Sequence, residues 1–139
     1  MFIGDEYGYL TQWNIPQQKL IKHYGQAHLY SINCLLATSD NDGNKYLFTS
    51  DSGGHLIQWD ILNQNLVRYY GQAHSSSICS IIATNDHKFL FTADTNGTLK
   101  KWDIDKQKQI ENLFMKSDTG IESVVLSNDN RYLFISSRR

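Results

Sequence analysis

Residues Leu47 to Ile61 read LFTSDSGGHLIQWDI, and two near copies lie elsewhere in the chain: LFTADTNGTLKKWDI from Leu90 to Ile104 and MFIGDEYGYLTQWNI from Met1 to Ile15. The tryptophans set the register, with Trp59 standing 46 residues after Trp13 and Trp102 standing 43 after Trp59. A second marker repeats independently, since Tyr24-Gly25-Gln26-Ala27-His28 returns as Tyr70-Gly71-Gln72-Ala73-His74, again 46 residues on. Self-similarity at a period of roughly 40 to 50 residues marks a repeat architecture, in which each unit buries its apolar surface by stacking on its neighbours.

Each copy divides into four short strands. In the middle copy, residues 31–38 and 46–51 are rich in β-formers, 55–61 alternates, and 66–70 forms a fourth run before Gly71. The intervening turns are Asn41-Asp42-Gly43-Asn44, Ser52-Gly53-Gly54 and Asn63-Gln64-Asn65, each too short for anything but a hairpin, so the strands are antiparallel neighbours. In the next copy Asn96-Gly97 is the pair expected to take the positive φ angles of a tight hairpin. No stretch sustains a helical period. The expectation is an all-β chain of thirteen strands, with the three-residue difference in period absorbed in the loop between Thr38 and Tyr46, which corresponds to Thr84 to Phe89. On the third strand of the middle copy Leu56 faces one way and Ile57, Trp59 and Ile61 the other, so both faces of the sheet need cover.

Composition narrows the function classes. Of the 139 residues, 40% are apolar and 19% charged, the balance of a folded rather than a disordered chain. A net charge of −1 with scattered lysines and arginines leaves no basic stripe for a phosphate backbone, so nucleic acid is not expected as a partner. The first residues include Asp5 and Glu6 and lack the layout of a signal peptide, and no apolar run is long enough to span a bilayer. An intracellular, cytoplasmic protein without membrane contact is expected. Cys34 and Cys79 do not align with one another and give no disulfide framework; both read as small buried apolar residues. Asn96-Gly97-Thr98 fits the glycosylation pattern but reads as a turn.

Gly97-x-Leu99-x-x-Trp102-Asp103, with His74 standing 28 residues before the tryptophan, resembles the WD-repeat family of β-propellers, and the resemblance covers essentially the whole chain. It implies four-stranded antiparallel blades set radially about a channel. On that layout the chain divides into a partial blade (1–24), two blades (25–70 and 71–115) and a second partial blade (116–139), an incomplete ring on its own. The resemblance also implies a buried hydrogen-bond chain of histidine, serine or threonine, aspartate and tryptophan. His28, Thr49 and Trp59 match three of its positions, as do His74, Thr92 and Trp102. At the family's aspartate position, six residues before the tryptophan, stand Tyr7, Gly53 and Asn96 instead. Asp5, Asp51 and Asp94 lie eight residues before it, on the strand phase of Ile3, Thr49 and Thr92, and are candidate substitutes. Ala27 and Ala73 replace the usual glycine before the histidine, and Ser117 takes the histidine position in the last copy.

A hydroxyl, a histidine and an aspartate suggest nucleophilic catalysis, yet here the set recurs in successive blades, where an active site needs one. The five histidines include no short-spaced pair of the zinc type, and no glycine-rich phosphate loop or nucleophile elbow is present. The expectation is therefore a non-enzymatic chain without cofactor or metal. By the family's layout, the loops entering each first strand share one face with the turns between second and third strands. This nominates Tyr30, Ser76 and Thr119 together with Glu6, Tyr7, Ser52 and Thr95 as a rim for protein or peptide partners, with Tyr30 and Tyr7 as anchors. The alternative is a purely structural component of a self-assembling or multi-chain complex. Rings of about four to eight blades are usual, so the remaining blades are expected from a longer chain or from other subunits. The longer chain is favoured because Met1-Phe2-Ile3 and Leu133-Phe134-Ile135 align as the same strand.

Overall fold

The computed structural model describes residues 1–114 and 119–137, which form thirteen strands and, among the described residues, no helix. In chain order these are β1 (Phe2–Gly4), β2 (Tyr9–Asn14), β3 (Lys19–Gln26), β4 (Ile32–Ser39), β5 (Lys45–Asp51), β6 (His55–Asp60), β7 (Asn65–Gln72), β8 (Ile78–Ala83), β9 (Phe89–Asp94), β10 (Thr98–Asp103), β11 (Lys108–Phe114), β12 (Ile121–Leu126) and β13 (Leu133–Ser137). They make four antiparallel meanders: β1-β2-β3, β4-β5-β6-β7, β8-β9-β10-β11 and β12-β13. Among the described residues, no helix is long and apolar enough to cross a membrane.

The sheets stack face to face in chain order. Strand β4 touches β1 on one side and β8 on the other, and β8 in turn touches β12, so the stack is tightest along one edge; it does not close a ring. Both faces of the β4–β7 sheet are covered, as its two-faced apolar pattern requires. Leu47, Trp59 and Ile61 pack with Leu10, Phe2 and Tyr24 of the first sheet. Phe48 and Leu56 pack with Ile78, Ile81, Leu90 and Trp102 of the third. Ala93 and Leu99 close on Ile121 and Val124 of the last.

The Trp-Asp dipeptide does two different things because adjacent strand residues point to opposite sides. The tryptophan turns into the stack. The residue after it caps the next turn: Asp60 Oδ1 accepts the amide of Asn63 at 2.9 Å, Asp103 Oδ1 that of Lys106 at 2.9 Å, and Asn14 Oδ1 that of Gln17 at 3.0 Å. Register shifts fall just before Trp13, Trp59 and Trp102, so each sheet bends at its tryptophan.

Three details depart from the sequence reading. Strand β7 runs through Gly71 to Gln72, two residues past the fourth run expected over 66–70, and β3 runs in the same way through Gly25 to Gln26. Those glycines, at φ 76° and 72°, sit where the pairing slips, so each is a bulge inside a strand and not its end. In the 94–97 turn only Gly97 has positive φ, 91°. The amide of Gly97 donates to the Asp94 carbonyl at 3.2 Å, so the chain turns over Thr95 and Asn96 with the left-handed residue following. Cys34 and Cys79 are half-buried, and each thiol reaches a backbone carbonyl of a neighbouring sheet, Ile78 O at 3.7 Å and Ile121 O at 3.2 Å.

Candidate functional site

In the third sheet the indole Nε1–H of Trp102 donates to Thr92 Oγ1 at 2.8 Å. Thr92 Oγ1 lies 2.7 Å from His74 Nε2, and His74 Nδ1 lies 2.9 Å from Asp94 Oδ2. Burial pushes the His74 imidazole below its ordinary pKa; Asp94 opposes this only in part, and the Lys100 ammonium adds to the depression. The ring is therefore neutral, and the donors run in one order: tryptophan to threonine, threonine to histidine, histidine to aspartate. Asp94 ends the chain as a buried carboxylate whose other oxygen accepts the amides of Asn96 at 3.0 Å and Thr98 at 2.8 Å. One side chain thus anchors both the turn and the loop that carries His74.

The second sheet repeats the geometry. Trp59 Nε1 donates to Thr49 Oγ1 at 3.0 Å, Thr49 Oγ1 is 2.7 Å from His28 Nε2, and His28 Nδ1 is 2.8 Å from Asp51 Oδ2. Asp51 Oδ1 accepts the amides of Gly53 and His55, at 2.9 and 3.0 Å. Here a fifth side chain joins, because His55 Nδ1 lies 3.0 Å from Asp51 Oδ1. Burial raises the Asp51 pKa, but the hydrogen bonds from His28 and His55 outweigh it and hold the carboxyl below its usual range. In the first sheet Ile3 stands where the threonine would be, and Trp13 Nε1 donates instead to Thr11 Oγ1 at 2.9 Å. Asp5 still caps its turn, accepting the amides of Tyr7 and Tyr9 at 2.9 Å, but it is exposed and no histidine meets it among the described residues. Ser117 lies outside the described residues.

These shifts set a pH dependence. Below about 6.5, the ordinary imidazole value, the unfolded chain binds a proton that folded His74 does not. The His74 contribution is therefore fully present above that value and is lost as pH falls through the depressed folded value. Asp51 follows lower down, its contribution present above about 3.9 and lost as pH falls through its own depressed value. The urea midpoint should decline from pH 7 to pH 5, more steeply in the wild type than in His74→Asn. Parallel declines would show that His74 is not the group responsible.

The nominated rim residues gather at the end of the stack where the aspartate turns meet the histidine loops. The two loop types are packed backbone to backbone: the amides of Ala27 and His28 donate to Gly8 O at 2.9 and 3.1 Å, and that of Ser52 to Ser31 O at 3.0 Å. Tyr7 is 66% exposed and Tyr30 50%, and Glu6, Ser52 and Thr95 face solvent. Thr119 is half-buried, and the Ser76 hydroxyl is turned inward, buried without a partner. Sequence reading missed an aromatic stack here. Tyr30 lies on the His55 ring (centroids 5.6 Å apart, planes at 7°), and His55 lies on Tyr69 (6.3 Å, 14°). Beside it opens a cavity of about 210 Å3 between the first two sheets, lined by Gln26, Ala27, Leu29, His55 and Tyr69 above the His28–Asp51 pair. The available signal was His55 itself, which takes a strand position held by Tyr9 and Thr98 in the other copies.

Stacked antiparallel four-stranded meanders, each tied through a histidine to the loop before it, are the blades of a β-propeller. Residues 65–103 match the WD domain, G-beta repeat family, a span running from β7 through β10 that contains the complete His74–Asp94–Thr92–Trp102 set. The match spans one repeat, and over that span the chain is similar to WD-repeat proteins. Such domains are in general protein-interaction scaffolds and are typically not enzymes. No curated protein matches the chain.

Proposed function

We propose that the chain is a non-enzymatic scaffold that binds a protein or peptide partner, not nucleic acid or membrane, across the rim formed by Glu6, Tyr7, Tyr30, Ser52, Thr95 and Thr119. The observation that supports it is the placement of exposed Tyr7 and Tyr30 on two loops clamped to one another through Gly8. Tyrosines held on a rigid frame offer large amphipathic contact without much entropy lost on binding. Replacing both by alanine should weaken a partner recovered with the wild type by about tenfold or more, the effect of losing an aromatic anchor. The thermal midpoint should move by only a few degrees, because neither ring lies in the core clusters. Unchanged affinity for every such partner would remove the assignment.

A second reading, a structural component whose outer faces meet further blades, has its own support. Val125 and Phe134, paired across β12 and β13, are 58% and 62% exposed, and Ile3 of β1 is 44% exposed. In the inner sheets the counterparts of Phe134 and Val125 (Phe48, Phe91, Leu36 and Ile82) are packed and those of Ile3 (Thr49 and Thr92) are buried, so further blades, from a longer chain or from other subunits, account for these faces. This reading and the rim are compatible.

A further inference from the structure

The two crevices between the first three sheets are built alike but differ at one position across from the buried threonine. In the second crevice Lys100, which pairs across the sheet with Thr92, sends its ammonium to the carbonyl oxygen of Ala73, the residue before His74. The corresponding position in the first crevice is Ile57, which pairs in the same way with Thr49. Isoleucine has no donor to offer Ala27, the residue before His28, and Ala27 is one of the residues lining the cavity of about 210 Å3, a lining that the buried Ile57 does not itself join.

We propose that this cavity is a receptor site for a primary ammonium, the end of a lysine side chain supplied by a partner. The inference deepens the rim reading and rests on it for the source of the lysine. The chemistry of the walls favours such an occupant over an anion or a neutral group. Among the described residues no lysine or arginine lines the cavity, and the ionised Asp51 lies at its base. Gln26 donates its Nε2–H to Tyr7 O at 3.1 Å, which leaves its carbonyl oxygen as an acceptor. His55 presents Nδ1 to Asp51, and in the neutral ring this leaves Nε2 as an acceptor. An ammonium brings three donors to such a set, and the methylene stem of lysine lies well against apolar and aromatic side chains. Leu29, 82% exposed, and Tyr69, 56% exposed, supply that surface. One repeat further on, the chain's own Lys100 places an ammonium on the carbonyl oxygen of Ala73, the counterpart of Ala27.

The test is a titration of the isotopically labelled chain with n-butylammonium chloride, read by NMR at the ring resonances of His55 and Tyr69. Sodium chloride and n-butanol serve as controls for ionic strength and for the alkyl group. Saturable shifts at both rings with butylammonium alone are expected. They should vanish in Ile57→Lys, which copies Lys100 into the first crevice, and Lys100→Ile should add a second saturable response at His74. Because Ile57 is buried and its lysine variant can fail to fold, the exposed Tyr69→Ala is the companion, expected to weaken binding about threefold through loss of an aromatic contact to the cation. Absence of saturable shifts, equal shifts with butanol, or full affinity retained in Tyr69→Ala together with any folded Ile57→Lys would overturn the site. The probe carries no partner surface, so a negative titration leaves the rim reading standing, and that reading fails only on the Tyr7 and Tyr30 variants.

Discussion

Alanine in place of Asp94 should lower the free energy of unfolding by about 3 to 5 kcal/mol, the size expected when a buried histidine N–H and two part-buried turn amides lose one acceptor together. The carboxylate takes the His74 ring N–H and the amides of Asn96 and Thr98, and it is fully buried. None of the three has a substitute acceptor in the described structure. Water cannot replace the loss at His74, which is itself 2% exposed. The same change at Asp5 should cost only about 1 kcal/mol, because its two turn amides can turn to solvent. Urea unfolding at constant m-value measures both. Equal losses at Asp94 and Asp5 would show that the histidine link carries no stability, and that the aspartate acts through its turn alone.

Gly54→Ala should be nearly as damaging, at about 2 to 5 kcal/mol, from backbone strain and a clash acting together. Gly54 has φ +86°, and a Cβ there would stand 2.1 Å from the carbonyl oxygen of His74 and 2.8 Å from that of Ser76. Both obstacles are backbone, so relief requires moving the loop that delivers His74 to Asp94. Gly43 gives the matched control. Its φ is nearly the same, +85°, but a Cβ there meets nothing within 4 Å. Gly43→Ala should cost only about 1 kcal/mol, the strain of a left-handed alanine. A Gly54→Ala variant as stable as Gly43→Ala would mean that the turn and the histidine loop are not clamped together.

Much of this frame was legible because each feature that sets the register is a residue with one physical use. Trp13, Trp59 and Trp102 mark equivalent strand positions, and glycine at 8, 54 and 97 marks the left-handed residue of equivalent turns. The aspartate was harder to place, since its expected offset from the tryptophan is six residues and here it is eight. The turn geometry explains the offset: the residue that opens the turn, Asp94, can cap two amides beyond it and still reach His74. The hydroxyl swap in the first sheet was not legible, because Thr11 lies on the same strand as Trp13 and a different strand from Ile3, whose role it takes. The strand end at Gly71 was misplaced because a glycine in a bulge and a glycine in a turn look alike in sequence. His55 and Tyr69 escaped notice because they lie on different strands and meet only after the pairing slips between His55 and Ile57.

The direct test of the rim is a hydrogen-exchange footprint of the chain with and without a partner that it captures. The account predicts added protection at residues 6–7, 28–31 and 52–55, which gather at the histidine end of the stack. It predicts none at 40–44 and 85–88, the hairpin loops at the opposite end. Protection confined to those opposite loops, or to the outer faces of β1–β3 and β12–β13 alone, would contradict it.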